Sequence, residues 1–170
     1  MSGMIHVYTG DGKGKTTAAI GLAIRSVGAG NKVFIGQFVK GMKYSELDVL
    51  KKMENIKIKQ YGLDCFIKND PTPEDIEAAA GGLEEMTEIL KSGEFDLVIM
   101  DEANIAVYFD LFSVEELIKA VEKRAENVEV VITGRRAEKK IIERADLVTE
   151  MREVKHYYQK GVKARTGIEK

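Results

Sequence analysis

The segment Thr9-Gly10-Asp11-Gly12-Lys13-Gly14-Lys15-Thr16-Thr17 sets three glycines and two lysines between an apolar run and a stretch of helical periodicity. Glycines let the main chain curl until successive N–H groups converge on one anion, and the N-terminus of a following helix adds partial positive charge. In such a loop Lys15 would reach phosphate oxygens and the Thr16 hydroxyl would ligate Mg²⁺. The order of residue types therefore predicts a loop that holds the polyphosphate of ATP. The common pattern is G-x-x-x-x-G-K-[ST], and here Thr9 stands at the first glycine position. A β-branched residue is stiff and disfavours positive φ, so the loop entrance does not follow the common geometry by default.

A second set of chemical groups closes the run Leu97-Val98-Ile99-Met100-Asp101-Glu102, an apolar strand ending in paired acids. Carboxylate oxygens suit a hard cation, and an acid at this strand end holds Mg²⁺ or its water shell in proteins with a phosphate loop. Thr16, Asp101 and Glu102 are the metal candidates, with the direct ligand among the two acids left open. A glutamate after the aspartate also fits a hydrolase in which it polarises the attacking water. These residues alone thus remain compatible with an ATPase or a nucleotide-dependent switch acting at the γ-phosphate.

The elements that must position these groups follow from periodicity. Apolar runs at 5–8, 32–38, 56–60, 95–100, 128–133 and 147–151 alternate with helical patterns at 15–27, 45–53, 73–91, 113–123 and 137–144. That alternation predicts an α/β domain, a mostly parallel sheet of about six strands with helices on both faces. With the glycine loop it predicts a single-domain P-loop NTPase-like (RecA-like) fold. The nearly continuous apolar runs at 97–100 and 128–132 belong in the sheet centre. Ser113 with Glu116 forms a capping-box pattern, and Thr72-Pro73-Glu74-Asp75 places a capping hydroxyl before a first-turn proline and two acids. Segments 39–44 and 61–72 read as irregular.

Bulk properties narrow the field. A chain of 170 residues suits one domain able to bury a continuous core. The 26 basic against 28 acidic side chains give a net charge of −2, without the basic footprint of a nucleic-acid binder. Cys65, the single cysteine, allows no intramolecular disulfide and no structural zinc site. The N-terminus carries no signal-peptide pattern, and no apolar run approaches the ~18 to 20 residues of a membrane span. A cytoplasmic location without membrane or nucleic-acid partners is expected.

Across nearly its whole length the sequence resembles the P-loop ATP:corrinoid adenosyltransferases, also called cob(I)alamin or cob(I)yrinic acid a,c-diamide adenosyltransferases. The resemblance rests on residues 8–19, on Gln37-Phe38-Val39-Lys40-Gly41, on Met100-Asp101-Glu102 and on Thr133-Gly134-Arg135. It continues through 145–151, Val154-Lys155-His156 and Gly161-Val162-Lys163-Ala164-Arg165-Thr166-Gly167-Ile168-Glu169. Thr9, anomalous against the general loop pattern, is the residue this family has there. The resemblance implies transfer of the 5′-deoxyadenosyl group of ATP to cobalt(I) of a reduced corrinoid, with triphosphate leaving intact. Cobalt(I) is then the nucleophile, and the protein orients C5′ and stabilises charge on the leaving group.

On that reading Lys13, Lys15 and Arg135 carry the catalytic electrostatics, and residues 9–17 hold the nucleotide in the reverse sense that leaves C5′ accessible. The tail at 152–170 becomes part of the active-site region, with His156 in a structural or positioning role. Segment 61–67 corresponds to an aromatic-bearing loop near the corrinoid; this chain has no tryptophan, and Phe66 is the candidate to exclude water there. Cys65 reads as a small buried residue. The family implies a homodimer and a cobalt-reducing flavoprotein or similar reductant. Some members cover the partner's site with an extra N-terminal segment; this sequence starts too late for one, which leaves the way its corrinoid site closes open.

Overall fold

The computed structural model describes residues 2–63 and 70–169. Six strands form one sheet: β1 (Ile5–Thr9), β2 (Val33–Phe38), β3 (Ile56–Tyr61), β4 (Leu97–Asp101), β5 (Glu129–Thr133) and β6 (Leu147–Glu150). Their order is β3-β2-β4-β5-β1-β6, and every pairing is parallel. Parallel neighbours need crossover connections, which the helices α1 (Lys15–Gly28), α2 (Ser45–Leu50), α3 (Pro73–Ser92), α4 (Ala103–Tyr108), α5 (Val114–Glu122) and α6 (Lys139–Arg144) supply. The expected α/β fold, with β4 and β5 central, is the one observed.

Alternation along the strands splits the core between the two faces of the sheet. On one face Ala19 and Ala23 of α1 and Leu50 of α2 pack with Val33, Ile35, Leu97, Ile99 and Val131. On the other, Met86 of α3, Ala106 of α4, Leu117 of α5 and Ile141 of α6 pack with Phe34, Val98, Met100, Val130 and Ile132. All residues of β2 and β4 are buried. β6 is an edge, paired among the described residues with β1 alone, and its four residues are exposed.

Local chemistry sets the boundaries. Ser113 accepts from the Glu116 amide and Glu116 reciprocates, as the pattern predicts. At α3 the Thr72 hydroxyl accepts from the Asp75 amide, and the Asp75 carboxylate reaches back to Thr72, completing a second capping box. Helix α4 has no counterpart in the sequence reading. Its six residues follow the strand through Glu102 in a left-handed conformation (φ 60), too short a stretch to display helical periodicity. Helix α6 starts at Lys139 because Arg136 adopts positive φ and Glu138 is still extended, so the segment from 137 expected as helix begins two residues late. Among the described residues, no helix is long and apolar enough to cross a membrane.

Candidate active site at the carboxyl ends of the strands

In an open parallel sheet, loops at the carboxyl ends of strands form the ligand crevice. Here the ends of β1, β2, β4 and β5 bring Thr9, Gln37, Asp101 and Thr133 to one side of the sheet. The glycine loop joins β1 to α1. Gly10 (φ 95) and Gly14 (φ 112) take left-handed conformations, and Gly14 caps α1 without any side-chain hydrogen bond. The first N–H groups of that helix are therefore not satisfied by a capping side chain.

The loop is walled by the chain leaving β6. Met151 donates its N–H to the Thr9 carbonyl at 2.8 Å, and Gly12 donates to the Met151 carbonyl at 2.7 Å. A Cβ on Gly10 would stand 2.4 Å from the Met151 carbonyl oxygen. Sterics and φ thus both demand glycine there. Thr9 is not among the residues with positive φ; the turn falls on Gly10. Its hydroxyl accepts from the Ala137 amide at 3.2 Å, tying the loop entrance to the segment before α6. The departure from the common pattern is thereby accommodated in the strand, not in the turn. Gly10→Ala should cost roughly 1–3 kcal/mol of backbone strain and lower the melting temperature by roughly 2–12 °C. An unchanged melting curve would contradict this account of the loop.

Lys15 is buried and donates to the Gly10 and Gly12 carbonyls, each at 2.7 Å. Burial pushes its pKa down, with Arg135 adding to that, against the opposing charges of Glu102, Asp11 and Asp101. An ammonium held this way lacks a full counter-charge.

Asp101 is the hub. Its Oδ1 accepts from the hydroxyls of Thr16 (2.8 Å) and Thr133 (2.7 Å). Its Oδ2 accepts from Lys40 Nζ (2.7 Å) and Gln37 Nε2 (3.1 Å). Burial alone would raise this carboxyl; the Lys40 charge and the hydrogen bonds from Lys40, Thr133 and Thr16 outweigh it and hold the group below the usual range. A carboxylate offers about four acceptor sites, and these four donors fill them. Because Thr16 gives its proton to Asp101, its oxygen faces outward as an acceptor, met here by Lys40 Nζ at 3.4 Å.

Glu102 differs from its neighbour. Its backbone is pinned by an N–H bond to the Thr133 hydroxyl at 3.0 Å. Burial, then the Asp101 charge, pushes its carboxyl above the ordinary range, opposed by Lys40, Lys15 and Arg135. The donor set of Thr16 hydroxyl and Glu102 carboxylate is all oxygen and fits a hard divalent cation. Arg135 is exposed just beyond β5, near enough in charge to shift both Lys15 and Glu102.

Lys13 turns away from this cluster. Its Nζ meets Tyr157 Oη at 2.8 Å and Glu169 Oε1 at 2.5 Å, while Tyr157 Oη also bonds Glu169 and Arg165 pairs with the same carboxylate. These contacts fold residues 152–169 back over the glycine loop. Between loop and tail lies a cavity of about 290 Å³ lined by Gly12, Lys13, Arg152, Lys155, His156 and Tyr157. A larger cleft, about 470 Å³, opens at the amino ends of the strands beside His6, Asp96 and Glu129. It shares no residue with the loop chemistry.

Of the sequence-predicted residues, Gly10, Asp11, Gly12, Lys15, Thr16, Asp101 and Glu102 converge, with Arg135 at their edge. Lys13 belongs to the tail contact, and Phe66 falls outside the described residues. Sequence reasoning assigned no role to Lys40, Gln37 or Thr133, although Gln37-Phe38-Val39-Lys40-Gly41 stood out as a motif. The overlooked signal was a lysine two residues after a strand of almost wholly apolar residues, where a charge needs a buried partner.

Comparison with known proteins places this geometry. The model of a family described as ATP:corrinoid adenosyltransferase BtuR/CobO/CobP matches residues 1–169. This chain belongs to that family. The corrinoid adenosyltransferase of Escherichia coli K12 is 36% identical over 167 residues, covering 98% of this chain and 85% of the relative. Corrinoid adenosyltransferase CobA of Salmonella typhimurium LT2 is 35% identical over 167 residues, with coverage of 98% and 85%. A corrinoid adenosyltransferase of Sinorhizobium sp. is 35% identical over 171 residues, with 98% and 80% covered. In this adenosyltransferase-family chain the matched length takes in both the glycine loop and Glu169, so the tail that folds over the loop lies within the family's shared region.

Proposed function

We infer that the protein transfers the 5′-deoxyadenosyl group of ATP to the cobalt(I) of a reduced corrinoid and releases triphosphate, in cobalamin biosynthesis or salvage. The family match across residues 1–169 carries this reading, and the glycine loop with its buried lysine supports it. In the reaction the electron pair of cobalt(I) forms the Co–C5′ bond while the C5′–O bond breaks and its electrons leave with the triphosphate. No proton is abstracted, so the protein needs no general base. Its work is orientation and charge stabilisation of the leaving group.

Loop amides, the uncapped start of α1 and Lys15 would hold the triphosphate, with Arg135 reaching it from the end of β5. Thr16 and Glu102 would hold Mg²⁺ directly, and Asp101 would act on it through the Thr16 hydroxyl, whose proton it accepts. Bound there, Mg²⁺ would supply positive charge to the departing oxygens. Lys13 would join the phosphate contacts on leaving Glu169 and Tyr157. The loop around Phe66 and the cavity under the tail would receive the corrinoid. We further propose one domain whose tail at 152–170 completes the site, a homodimer, a cytoplasmic setting and a flavoprotein or similar reductant as electron source.

Incubation with MgATP and chemically reduced corrinoid should give adenosylcorrinoid and intact triphosphate in equal amounts. ADP and orthophosphate without a Co–C bond would instead identify a hydrolase. Glu102→Gln should raise the Mg²⁺ concentration for half-maximal ATP binding by about 10–100-fold, since even outer ligands of a metal act on that scale. The same group sets a pH dependence: its proton competes with the cation, so Mg²⁺ affinity should fall on acidification at a pH above the ordinary carboxylate range. Titration calorimetry against pH checks both.

A further inference from the structure

Lys40 stands where a cation is needed before any ligand arrives. Its Nζ lies 2.7 Å from Asp101 Oδ2 and 3.4 Å from Thr16 Oγ1, and its side chain is only 11% exposed. A metal ligated by Thr16 would come close to this ammonium, and two cations beside one hydroxyl repel strongly in a site with little water. One of them has to give way.

The main chain around Lys40 is not free to do so. Val39 sits at φ 58, a strained conformation for a β-branched residue that persists only when its surroundings enforce it. Those surroundings are backbone: a Cβ on Gly62 would lie 2.5 Å from the Lys40 nitrogen, and one on Gly41 would lie 2.3 Å from the Leu63 carbonyl oxygen. Segment 39–41 is thus clamped against 62–63. The four-carbon lysine stem is the part that can move, and the Tyr44 ring, 5.2 Å from Nζ, flanks the charge.

We propose that Lys40 is the resident counter-ion of Asp101 and exchanges partners on nucleotide binding, its ammonium passing from Asp101 to an oxygen of the polyphosphate. The idea rests on the loop being the polyphosphate site. Asp101 keeps the Thr16, Thr133 and Gln37 donors during the exchange, so the carboxylate never lacks partners. Lys40 thereby neutralises Asp101 when the site is empty and adds a positive charge to the substrate when it is full.

The test is ATP binding to the full chain by calorimetry, in EDTA and in excess Mg²⁺, for wild type, Lys40→Arg, Lys40→Met and the double variant Lys40→Met/Asp101→Asn. Wild-type binding in Mg²⁺ examines the loop reading by itself; its absence would remove that reading, whatever Lys40 does. Without metal, Lys40→Met should bind about 10–100-fold more weakly, the worth of a charge-assisted contact, and Lys40→Arg should recover most of the loss. In excess Mg²⁺ the loss should be smaller. The double variant removes both buried charges and so avoids an unpaired ion. If Lys40 moves to phosphate, this variant stays weak in EDTA. Recovery of wild-type metal-free affinity in it would show that Lys40 only neutralises Asp101, and would overturn the proposal.

Discussion

Lys15→Ala should weaken ATP binding by roughly 10–100-fold and lower the rate of adenosyl transfer by a further ~10²–10³-fold. The first figure follows from the loss of a charged hydrogen-bond donor, the second from leaving-group charge that grows in the transition state. Among the described residues, Lys15 is bonded only to main-chain carbonyls of its own loop, at Gly10 and Gly12. Burial disfavours its charge, and the acids Glu102, Asp11 and Asp101 only partly offset this. On the proposed reading a triphosphate would be the missing counter-charge, and its arrival would stabilise the lysine as the lysine stabilises it. The binding loss and the rate loss separate in calorimetry and single-turnover formation of adenosylcorrinoid. Normal turnover in the variant would show that the loop is not the phosphate site.

Most of this architecture was legible in the sequence because the strands that carry it are buried on both sides. Nearly continuous apolar runs at 97–100 and 128–132, the second broken only by Glu129, mark β4 and β5 as central, and a ligand crevice in such a sheet lies at the carboxyl ends. The glycine loop is legible for a related reason, since only glycine fits where Met151 approaches Gly10 and Gly12. What escaped is non-local. No pattern along the chain pairs Lys40 with Asp101, 61 residues apart, or Lys13 with Glu169, 156 residues apart. Those links exist because parallel strands deliver distant residues to one edge and because the tail returns across the loop. Helix α4 escaped on length, and Asp101 and Glu102, adjacent and chemically alike, were separable only once their partners were visible.

The difference between those two acids leads to the largest expected stability effect. Asp101→Ala strands the Lys40 ammonium in a buried site and removes the acceptor of the Thr16, Thr133 and Gln37 side chains. Breaking a buried pair by deleting one partner costs about 3–5 kcal/mol, which for a chain of this size is a drop of roughly 6–20 °C in melting temperature. The native carboxyl sits below its ordinary range, so its contribution is fully present above the unfolded pKa and is lost as pH falls through the lower folded value. The gap between wild type and variant should therefore be wide at neutral pH and close only in strong acid. Lys40→Met should suppress the damage, because the stranded charge goes with it; the two substitutions together should cost less than the sum of their separate effects. Strict additivity in the melting temperatures would mean that Lys40 and Asp101 are not coupled as their 2.7 Å contact requires. In that case the Asp101 hub, and the assignment of Glu102 as the acid free for a metal, would both have to be redrawn.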